Sequence, residues 1–296
     1  MNKDNLKAWL QASRLPFFVA TFIPLFIGWF LAIRQTGQIN PVRFTLVLIA
    51  SLIVHLITNL ANDYFDHSVG TDAGKSIGGS RVIQEGKISP EVMLKVIVIL
   101  YAIAFVISVV IVLGFQLYLL AIPVLFAAFS SYCYVAPPIR YGYHGLGELF
   151  VGINMGPIMV AGTYWVIAGQ PSCLSALVSI PVGLMVALIL FYQSLPDMQT
   201  DLAAKKYTLA VKLGEKNALY VLILFFIFIY LSISALIIIK ALSLFGLLFC
   251  FSIPLCIKLI RIVFTTEDFL LLDQYGKYVR IIYFICGLAI IAGILL

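Results

Sequence analysis

Long stretches without Asp, Glu, Lys or Arg divide this chain into apolar segments. Since a charged side chain at the centre of a bilayer costs at least about 2.5–3.5 kcal/mol, such stretches mark where a chain can cross a membrane. Five of them have room for one helix each: 15–33, 44–62, 218–239, 241–257 and 281–296. Two longer stretches hold two helices each, 96–139 with a turn at 114–116 and 149–196 with a turn at 169–172. The pattern therefore predicts nine membrane-spanning helices.

Composition supports a membrane protein. Hydrophobic residues make up 62% of the 296 residues and charged residues 11%, whereas a soluble domain carries roughly 45–50% and about 25%. Together with a mean hydropathy of +1.09, these values exclude a soluble enzyme, a disordered chain and a disulfide scaffold. We therefore predict an all-α, multi-pass protein of the cell membrane, with a single transmembrane domain over residues 1–296.

The basic residues predict its orientation. With the N-terminus in the cytoplasm, sixteen of the nineteen Lys and Arg fall on the cytoplasmic side, and Arg34, Arg43 and Lys240 fall on the other. Cytoplasmic loops of membrane proteins carry such an excess of positive charge. The net charge of +6 is thereby explained by contact with an anionic lipid leaflet, without a nucleic acid partner. Nothing in the pattern indicates an oligomer.

A short amphipathic segment precedes the first span. Leu6, Trp9 and Leu10 recur at helical spacing among basic residues, and Ser13 continues the same face. This pattern predicts a short helix at the membrane interface.

Polar residues continue one face of the second span to its cytoplasmic end. On a helix the following residues form one stripe, because they are spaced i, i+4, i+7, i+8 and i+11: His55, Asn59, Asn62, Asp63 and Asp66. Asp72 follows shortly after. Acids at a helix end often serve only as caps in water, but polar residues that continue into a span indicate function.

A second acidic cluster ends the sixth span. Gln193, Asp197 and Asp201 are spaced i, i+4 and i+8 and are predicted to form one helical stripe. Both clusters end an inward-running helix at the same membrane face. We therefore expect the two clusters to line one cavity at the cytoplasmic side.

The residue types of the two clusters indicate a ligand. Asn and Asp offer hard oxygen ligands, and no Cys and His set suits zinc or copper. Mg²⁺ prefers one or two carboxylates, water and phosphate oxygens of a substrate. Basic residues that can neutralise phosphate lie near both clusters: Lys75, Arg81, Lys205 and Lys206. Since apolar helices enclose the cavity, the predicted ligand is a polyprenyl diphosphate held with Mg²⁺.

Several motifs resemble those of the UbiA-type intramembrane prenyltransferases. NDYFDHSVGTD (62–72) resembles the first aspartate-rich motif of the family, in the form found in its menaquinone branch, and GGSRVIQEGKIS (78–89) is similar to the loop that follows. PDMQTDLAAKKYTLAVKLG (196–214) resembles the second motif, DxxxDxxAGKxTLAxxLG. The segment 134–166 resembles the branch signature of a GLGE run followed by Gly-Thr-Tyr. The resemblance implies nine helices around a central cavity that opens to the cytoplasmic side.

The resemblance also implies roles for individual residues. The residues expected to bind Mg²⁺ are Asn62, Asp63, Asp66, Asp72, Asp197 and Asp201, and Asp66 and Asp197 are expected to be catalytic. The residues expected to contact the diphosphate are Arg14, Asn59, Lys75, Arg81 and Lys206. The tyrosines expected to stabilise an allylic cation through their aromatic faces are Tyr132, Tyr134 and Tyr141, although tyrosines here also suit an interfacial aromatic belt.

The implied reaction is attack of an aromatic acceptor on that cation. In the menaquinone branch the acceptor is 1,4-dihydroxy-2-naphthoate, and the product, after loss of CO₂, is a demethylmenaquinone. Glu148, in the GLGE run, either orders the loop against Arg140 or contacts the acceptor.

Two departures from the branch pattern leave other acceptors open. Ahead of the second motif the chain has Gln-Ser-Leu-Pro (193–196) where the branch has Asn-Asn-x-Arg, and AGK is replaced by AKK (204–206). The alternatives are 4-hydroxybenzoate, homogentisate, a glycerol phosphate ether lipid or haem as acceptor, or a cyclase without one. Outside enzymes, the alternative is an ion-coupled transporter.

Overall fold

A computed structural model describes residues 3–70 and 79–296, and this part of the chain is helical without a β-strand. Eleven helical segments follow one another along it, and a short 3-10 turn, Tyr141–His144, lies between the fifth and the sixth. They are α1 (Lys3–Ser13), α2 (Leu15–Thr36), α3 (Pro41–Val69), α4 (Pro90–Gly114), α5 (Tyr118–Cys133), α6 (Gly147–Ala168), α7 (Cys173–Ser194), α8 (Met198–Ala203), α9 (Leu209–Ile238), α10 (Leu244–Thr265) and α11 (Phe269–Leu295).

The spans predicted from the charge-free stretches each coincide with one of these segments. Within the described ranges, eight helices are long and apolar enough to cross a membrane. The predicted span that is not among these eight corresponds to α5. This is a shorter apolar helix of 16 residues, so a ninth span at this position stays a prediction. The two turns predicted inside the long stretches are confirmed, because α4 ends at Gly114 and α7 begins at Cys173. The membrane side of the N-terminus stays a prediction.

Local signals set the starts of two of these helices. The Ser89 hydroxyl accepts a hydrogen bond from the backbone N–H of Val92 at the start of α4. The Thr208 hydroxyl accepts one from Val211 at the start of α9. Such caps satisfy backbone donors that a helix start leaves unpaired. The cap at Thr208 also fixes where the loop of the second motif ends and α9 begins.

The centre of the bundle is α7, which has the most buried membrane-crossing window in the described part of the chain. It packs closely against α6, where glycines let the two backbones approach. A Cβ on Gly183 of α7 would lie 2.6 Å from the carbonyl oxygen of Gly152 and 3.5 Å from the Cα of Gly156. Small residues at a membrane helix interface permit this close packing. Since α6 and α7 both reach the candidate site, their packing positions it.

Replacing Gly183 by alanine is expected to destabilise the protein by about 1–3 kcal/mol, because overpacking forces the two backbones apart. The matched control is Gly162→Ala in α6, where an added Cβ meets nothing within 4 Å. Thermal unfolding of the two variants in one detergent measures the effect. Equal stability of the two variants would contradict the close packing of α6 against α7.

The short N-terminal helix predicted from its amphipathic pattern is confirmed as α1, but the predicted face is divided, since Trp9 packs against the buried core. Ala8 and Ala12 are buried, since their small side chains allow α1 to lie close to α3. Leu6 and Leu10 remain 47% and 45% exposed. Two exposed leucines on a helix beside the first span suit contact with the membrane interface, a location that stays a prediction.

Candidate active site

The two acidic clusters meet at one cavity of about 290 Å³ beside the ends of α3 and α7. Among the residues that the structure describes, five acidic and two basic side chains line it: Asp66, Glu148, Asp197, Asp201 and Asp273, with Arg14 and Lys206. Because acids outnumber bases, the cavity favours cations and repels a bare diphosphate. The prediction that both clusters line one cavity is therefore confirmed.

The continuous helix α3 presents Asn62 and Asp66 to the cavity, one helical turn apart. Asp66 is buried, and both of its carboxylate oxygens accept hydrogen bonds. The Asn62 amide donates to one oxygen and the Tyr143 hydroxyl donates to the other. These donors hold the Asp66 carboxylate in one orientation toward the cavity.

Asp63 lies on the same helix but is not among the residues that line the cavity. Its buried carboxylate pairs with the Arg14 guanidinium. It also accepts hydrogen bonds from the Ser80 hydroxyl and, at 3.0 Å, from the Ser80 backbone N–H. This arrangement favours a role in positioning Arg14, which does line the cavity. Direct ligation of a metal by Asp63 stays an untested prediction.

The other residues predicted for this half of the site are placed differently. The Asn59 amide donates to the backbone oxygen of Ser13 at 3.1 Å, which ties α3 to the end of α1. Arg81 is half-buried with a positive φ of 63° and is not among the described residues that line the cavity. Asp72 and Lys75 lie outside the described residues.

The second cluster does not form the single helical stripe that its spacing predicts, and this prediction was wrong. Helix α7 ends at Ser194, and a turn precedes α8. Pro196 lacks a backbone N–H and therefore cannot continue the hydrogen-bonding of α7. Nevertheless Gln193, Asp197 and Asp201 all line the cavity, on both sides of this turn.

Lys206 joins the two clusters. Its ammonium nitrogen lies 3.4 Å from Asp66 Oδ2 and 3.6 Å from Asp201 Oδ1. These two carboxylate oxygens are therefore no more than about 7 Å apart. Burial alone would lower the pKa of Lys206, but the charges of Asp66 and Asp201 raise it above its ordinary value. Lys206 is therefore positively charged between two acids from different helices.

Burial also acts on Asp201. Burial is the largest effect and raises the pKa of this carboxyl to about 7. The Lys206 ammonium acts to lower this pKa, whereas the negative charges of Asp197 and Asp66 raise it further. A negative charge at Asp201 is thus costly without additional positive charge. A divalent cation or further basic group in the cavity would stabilise the charged form.

The oxygen donors fit a shared Mg²⁺ site. In the described residues, no three His, Cys, Asp or Glu side chains lie close enough together to hold a metal ion by themselves. Mg²⁺ in sites that bind phosphates needs only one or two carboxylates, with the remaining ligands from water and the substrate. The oxygen-bearing side chains that line the cavity from the two motifs are Asn62, Asp66, Gln193, Asp197 and Asp201.

The three predicted tyrosines have different surroundings. Tyr134 lines the cavity, and its ring packs against Gly142, where a Cβ would lie 2.8 Å from the ring. Burial raises the pKa of Tyr134 to about 12, so its phenol stays neutral. The Tyr141 hydroxyl donates to the Ser130 backbone oxygen at 2.8 Å, and Tyr132 is 48% exposed. The structure thus brings Tyr134, but neither Tyr132 nor Tyr141, to the cavity.

Tyr143 is a site residue that the sequence analysis missed. It is buried, donates to Asp66, and has the Lys206 nitrogen 5.4 Å from its ring centroid. The available signal was the alternating YGY run at 141–143, which places an aromatic ring on each side of one glycine. Asp273 also lines the cavity. It lies far along the chain, and no sequence motif pointed to it.

Replacing Tyr143 by phenylalanine is expected to lower activity by about 10–100-fold, because loss of a hydrogen bond that orients a metal-binding carboxylate typically costs this much. Steady-state kinetics at several Mg²⁺ concentrations measure the effect. Tyr207→Phe is the control, because Tyr207 lies next to Tyr143, to which its backbone N–H donates, but its side chain is exposed. Unchanged kinetics in Tyr143→Phe would show that Asp66 needs no orientation by this hydroxyl.

Residues 21–268 match the UbiA prenyltransferase family. The chain is 30% identical over 294 residues to a 2-carboxy-1,4-naphthoquinone phytyltransferase of Synechocystis, covering 97% of this chain and 92% of that protein. It is 28% identical over 252 residues to a 1,4-dihydroxy-2-naphthoate octaprenyltransferase of Bacillus subtilis, covering 85% and 80% of the two chains.

Solved structures share the fold. The structure of a UbiA homologue from Aeropyrum pernix superposes with a TM-score of 0.70 at 16% identity, over 92% of this chain and 96% of that one. A UbiA homologue from Archaeoglobus fulgidus bound to GPP and Mg²⁺ superposes with a TM-score of 0.63 at 15% identity, over 96% and 99%. At these identities the likeness establishes the fold alone.

Proposed function

Since the chain belongs to the UbiA prenyltransferase family, we propose that it transfers a polyprenyl group from a polyprenyl diphosphate to 1,4-dihydroxy-2-naphthoate. The observation that carries this proposal is the bridge that Lys206 forms between Asp66 and Asp201 in one cavity. The names of relatives that match most of the chain support the acceptor. We place the reaction at the cytoplasmic face of the cell membrane, where the positive-inside pattern puts both motifs.

The proposed diphosphate site uses both motifs. Bound Mg²⁺ supplies positive charge that neutralises the diphosphate and stabilises the charge that it gains as a leaving group. The residues proposed to hold the metal are Asn62, Asp66, Asp72, Asp197 and Asp201. Arg14 and Lys206 contact phosphate oxygens directly, because they are the basic side chains that line the described part of the cavity. Asp63 holds Arg14 in place.

Arg14 has an additional donor for an anionic ligand. One nitrogen of its guanidinium pairs with Asp63, while its buried Nε has no hydrogen-bond partner within the described structure. A buried donor without a partner is costly. A phosphate oxygen in the cavity would satisfy it.

The allylic cation forms when the bond from C1 to the diphosphate oxygen breaks. The Tyr134 ring lines the cavity beside Gly142 and Gly147. Its face stabilises positive charge, and its neutral phenol does not trap the cation as a phenolate would. The acceptor ring then attacks C1, and the apolar tail extends between membrane helices.

The test uses membranes that contain the full chain, labelled geranylgeranyl diphosphate, and a panel of acceptors with Mg²⁺ or with EDTA. We expect prenylated product with 1,4-dihydroxy-2-naphthoate and Mg²⁺, and none with EDTA. Product formation in EDTA would overturn the metal-dependent mechanism. Transfer only to 4-hydroxybenzoate, homogentisate or a glycerol phosphate ether lipid would overturn the acceptor while leaving prenyl transfer intact.

A further inference from the structure

One buried carboxylate of the cavity belongs to neither aspartate motif. Glu148 lies in the first turn of α6 and is only 5% exposed, yet it lines the cavity. Asp66 and Asp201 share Lys206, and Asp63 pairs with Arg14. In the described structure, Glu148 forms no ion pair and no hydrogen bond with another residue. Its carboxylate is therefore available to a group that enters the cavity.

The location of Glu148 explains how a lone carboxylate is tolerated. The N-terminal turn of a helix favours negative charge, because backbone N–H groups point toward it. No ion pair joins Glu148 to Arg140 in the described ranges, so ordering of the loop by such a pair is not what the structure shows.

Glu148 lines the same cavity as the aromatic ring of Tyr134 and the apolar side chain of Leu190. At Gly147, next to it in the chain, a Cβ would lie 3.4 Å from the Tyr134 ring and 3.4 Å from a methyl group of Leu190. The charges of Lys206, Asp66 and Glu148 all lie close enough to act on the Tyr134 hydroxyl. A ligand beside Tyr134 thus has the diphosphate site and Glu148 within the same cavity. This is a suitable place for a flat, hydroxylated ring.

We propose that Glu148 is a catalytic base that accepts the proton from a hydroxyl group of the aromatic acceptor. The proposal rests on the proposed function, which supplies the acceptor class. Removing this proton raises the electron density of the ring at the moment when its carbon attacks the allylic cation.

The acceptor O–H bond breaks, its proton moves to the Glu148 carboxylate, and its electron pair forms a C=O bond. A pair from the ring forms the new C–C bond to C1, while the C1–O pair leaves with the diphosphate. Where the alkylated carbon bears a carboxylate, CO₂ leaves, and its bonding pair restores the aromatic ring with the oxygen as an oxyanion. Glu148 returns the proton to that oxygen.

The experiment compares Glu148→Gln, which keeps the shape without the base, with Glu148→Asp, which keeps the base. We expect Glu148→Gln to lower kcat for prenyl transfer about 10²-fold, in the range for general bases, while the KM for labelled geranylgeranyl diphosphate stays within about twofold because the diphosphate site is untouched. Glu148→Asp is expected to recover part of kcat. Glu215→Gln, an exposed glutamate outside the cavity, is the matched control.

A second readout separates a base from a structural residue. The assay uses dihydroxynaphthoates whose ring substituents make the hydroxyl progressively more acidic. A more acidic hydroxyl needs less help from a base, so the deficit of Glu148→Gln should shrink along the series. An unchanged deficit along the series, wild-type kcat in Glu148→Gln, or loss of diphosphate affinity would each overturn the proposal.

Failure of the proposed function gives a different result. In that case the wild-type protein transfers no prenyl group to any acceptor in the series. Failure of the Glu148 proposal alone leaves wild-type transfer intact and changes only the behaviour of the variants.

Discussion

Replacing Asp66 by asparagine is expected to lower kcat/KM for prenyl transfer by about 10³-fold. Both oxygens of this buried carboxylate accept hydrogen bonds, from Asn62 and Tyr143, and one lies 3.4 Å from Lys206. An asparagine amide presents an NH₂ group in place of one oxygen, so one of these donors would face another donor. Loss of the negative charge also weakens the proposed metal site. Removing one electrostatic contact of this kind typically costs about 10²–10³-fold, and we expect the loss here at the upper end of that range.

The measurement is initial rate against Mg²⁺ concentration for Asp66→Asn and for the control Glu215→Gln. Thermal unfolding of both variants in one detergent verifies that they fold. If Asp66 supports metal binding, higher Mg²⁺ should recover part of the activity of Asp66→Asn. Wild-type kinetics in Asp66→Asn would contradict the assignment of the first motif.

The membrane helices could be predicted from the sequence because the cost of burying charge in lipid acts on each segment separately. Interruptions at 114–116 and 169–172 therefore also marked real helix ends. Length was less informative at α5, which occupies a predicted span but has only 16 residues. A charge-free stretch limits where a helix can lie and does not determine how far it extends.

Helical spacing predicted which residues share a face, but not which partner each of them meets. Asp63 and Asp66 both belong to the predicted stripe, yet Asp63 pairs with Arg14, 49 residues earlier, while Asp66 turns toward the cavity. Such contacts depend on how α1, α3 and the residues after 79 pack together. A periodic pattern along one helix contains no information on that packing.

In the second motif, the predicted residues do line the cavity, but the local structure predicted for them was wrong. The spacing of Asp197 and Asp201 suited a continuous helix, but Pro196 ends α7 before them. The choice among tyrosines had a similar cause. Tyr141 and Tyr143 are two residues apart, and only tertiary packing directs one hydroxyl to Ser130 and the other to Asp66.

Replacing Lys206 by methionine is expected to raise the KM for the polyprenyl diphosphate about 10²-fold, because hydrogen bonds to charged groups contribute about 1.5–3 kcal/mol each. Methionine keeps a long side chain of similar reach without the charge. The structure also predicts an effect of opposite sign on the metal. Since Lys206 lies between Asp66 and Asp201, its removal leaves two acids that attract a cation more strongly, and half-maximal activity should need less Mg²⁺.

Lys205→Met is the matched control, because Lys205 is adjacent in the sequence but exposed, whereas Lys206 is half-buried in the cavity. A diphosphate titration at saturating Mg²⁺ and a Mg²⁺ titration at saturating diphosphate separate the two effects. A variant Lys206→Met that needs more Mg²⁺ and keeps the wild-type KM for diphosphate would show that Lys206 only screens the two acids from each other. The expected pair of opposite shifts requires that the same ammonium both contacts phosphate and competes with the metal.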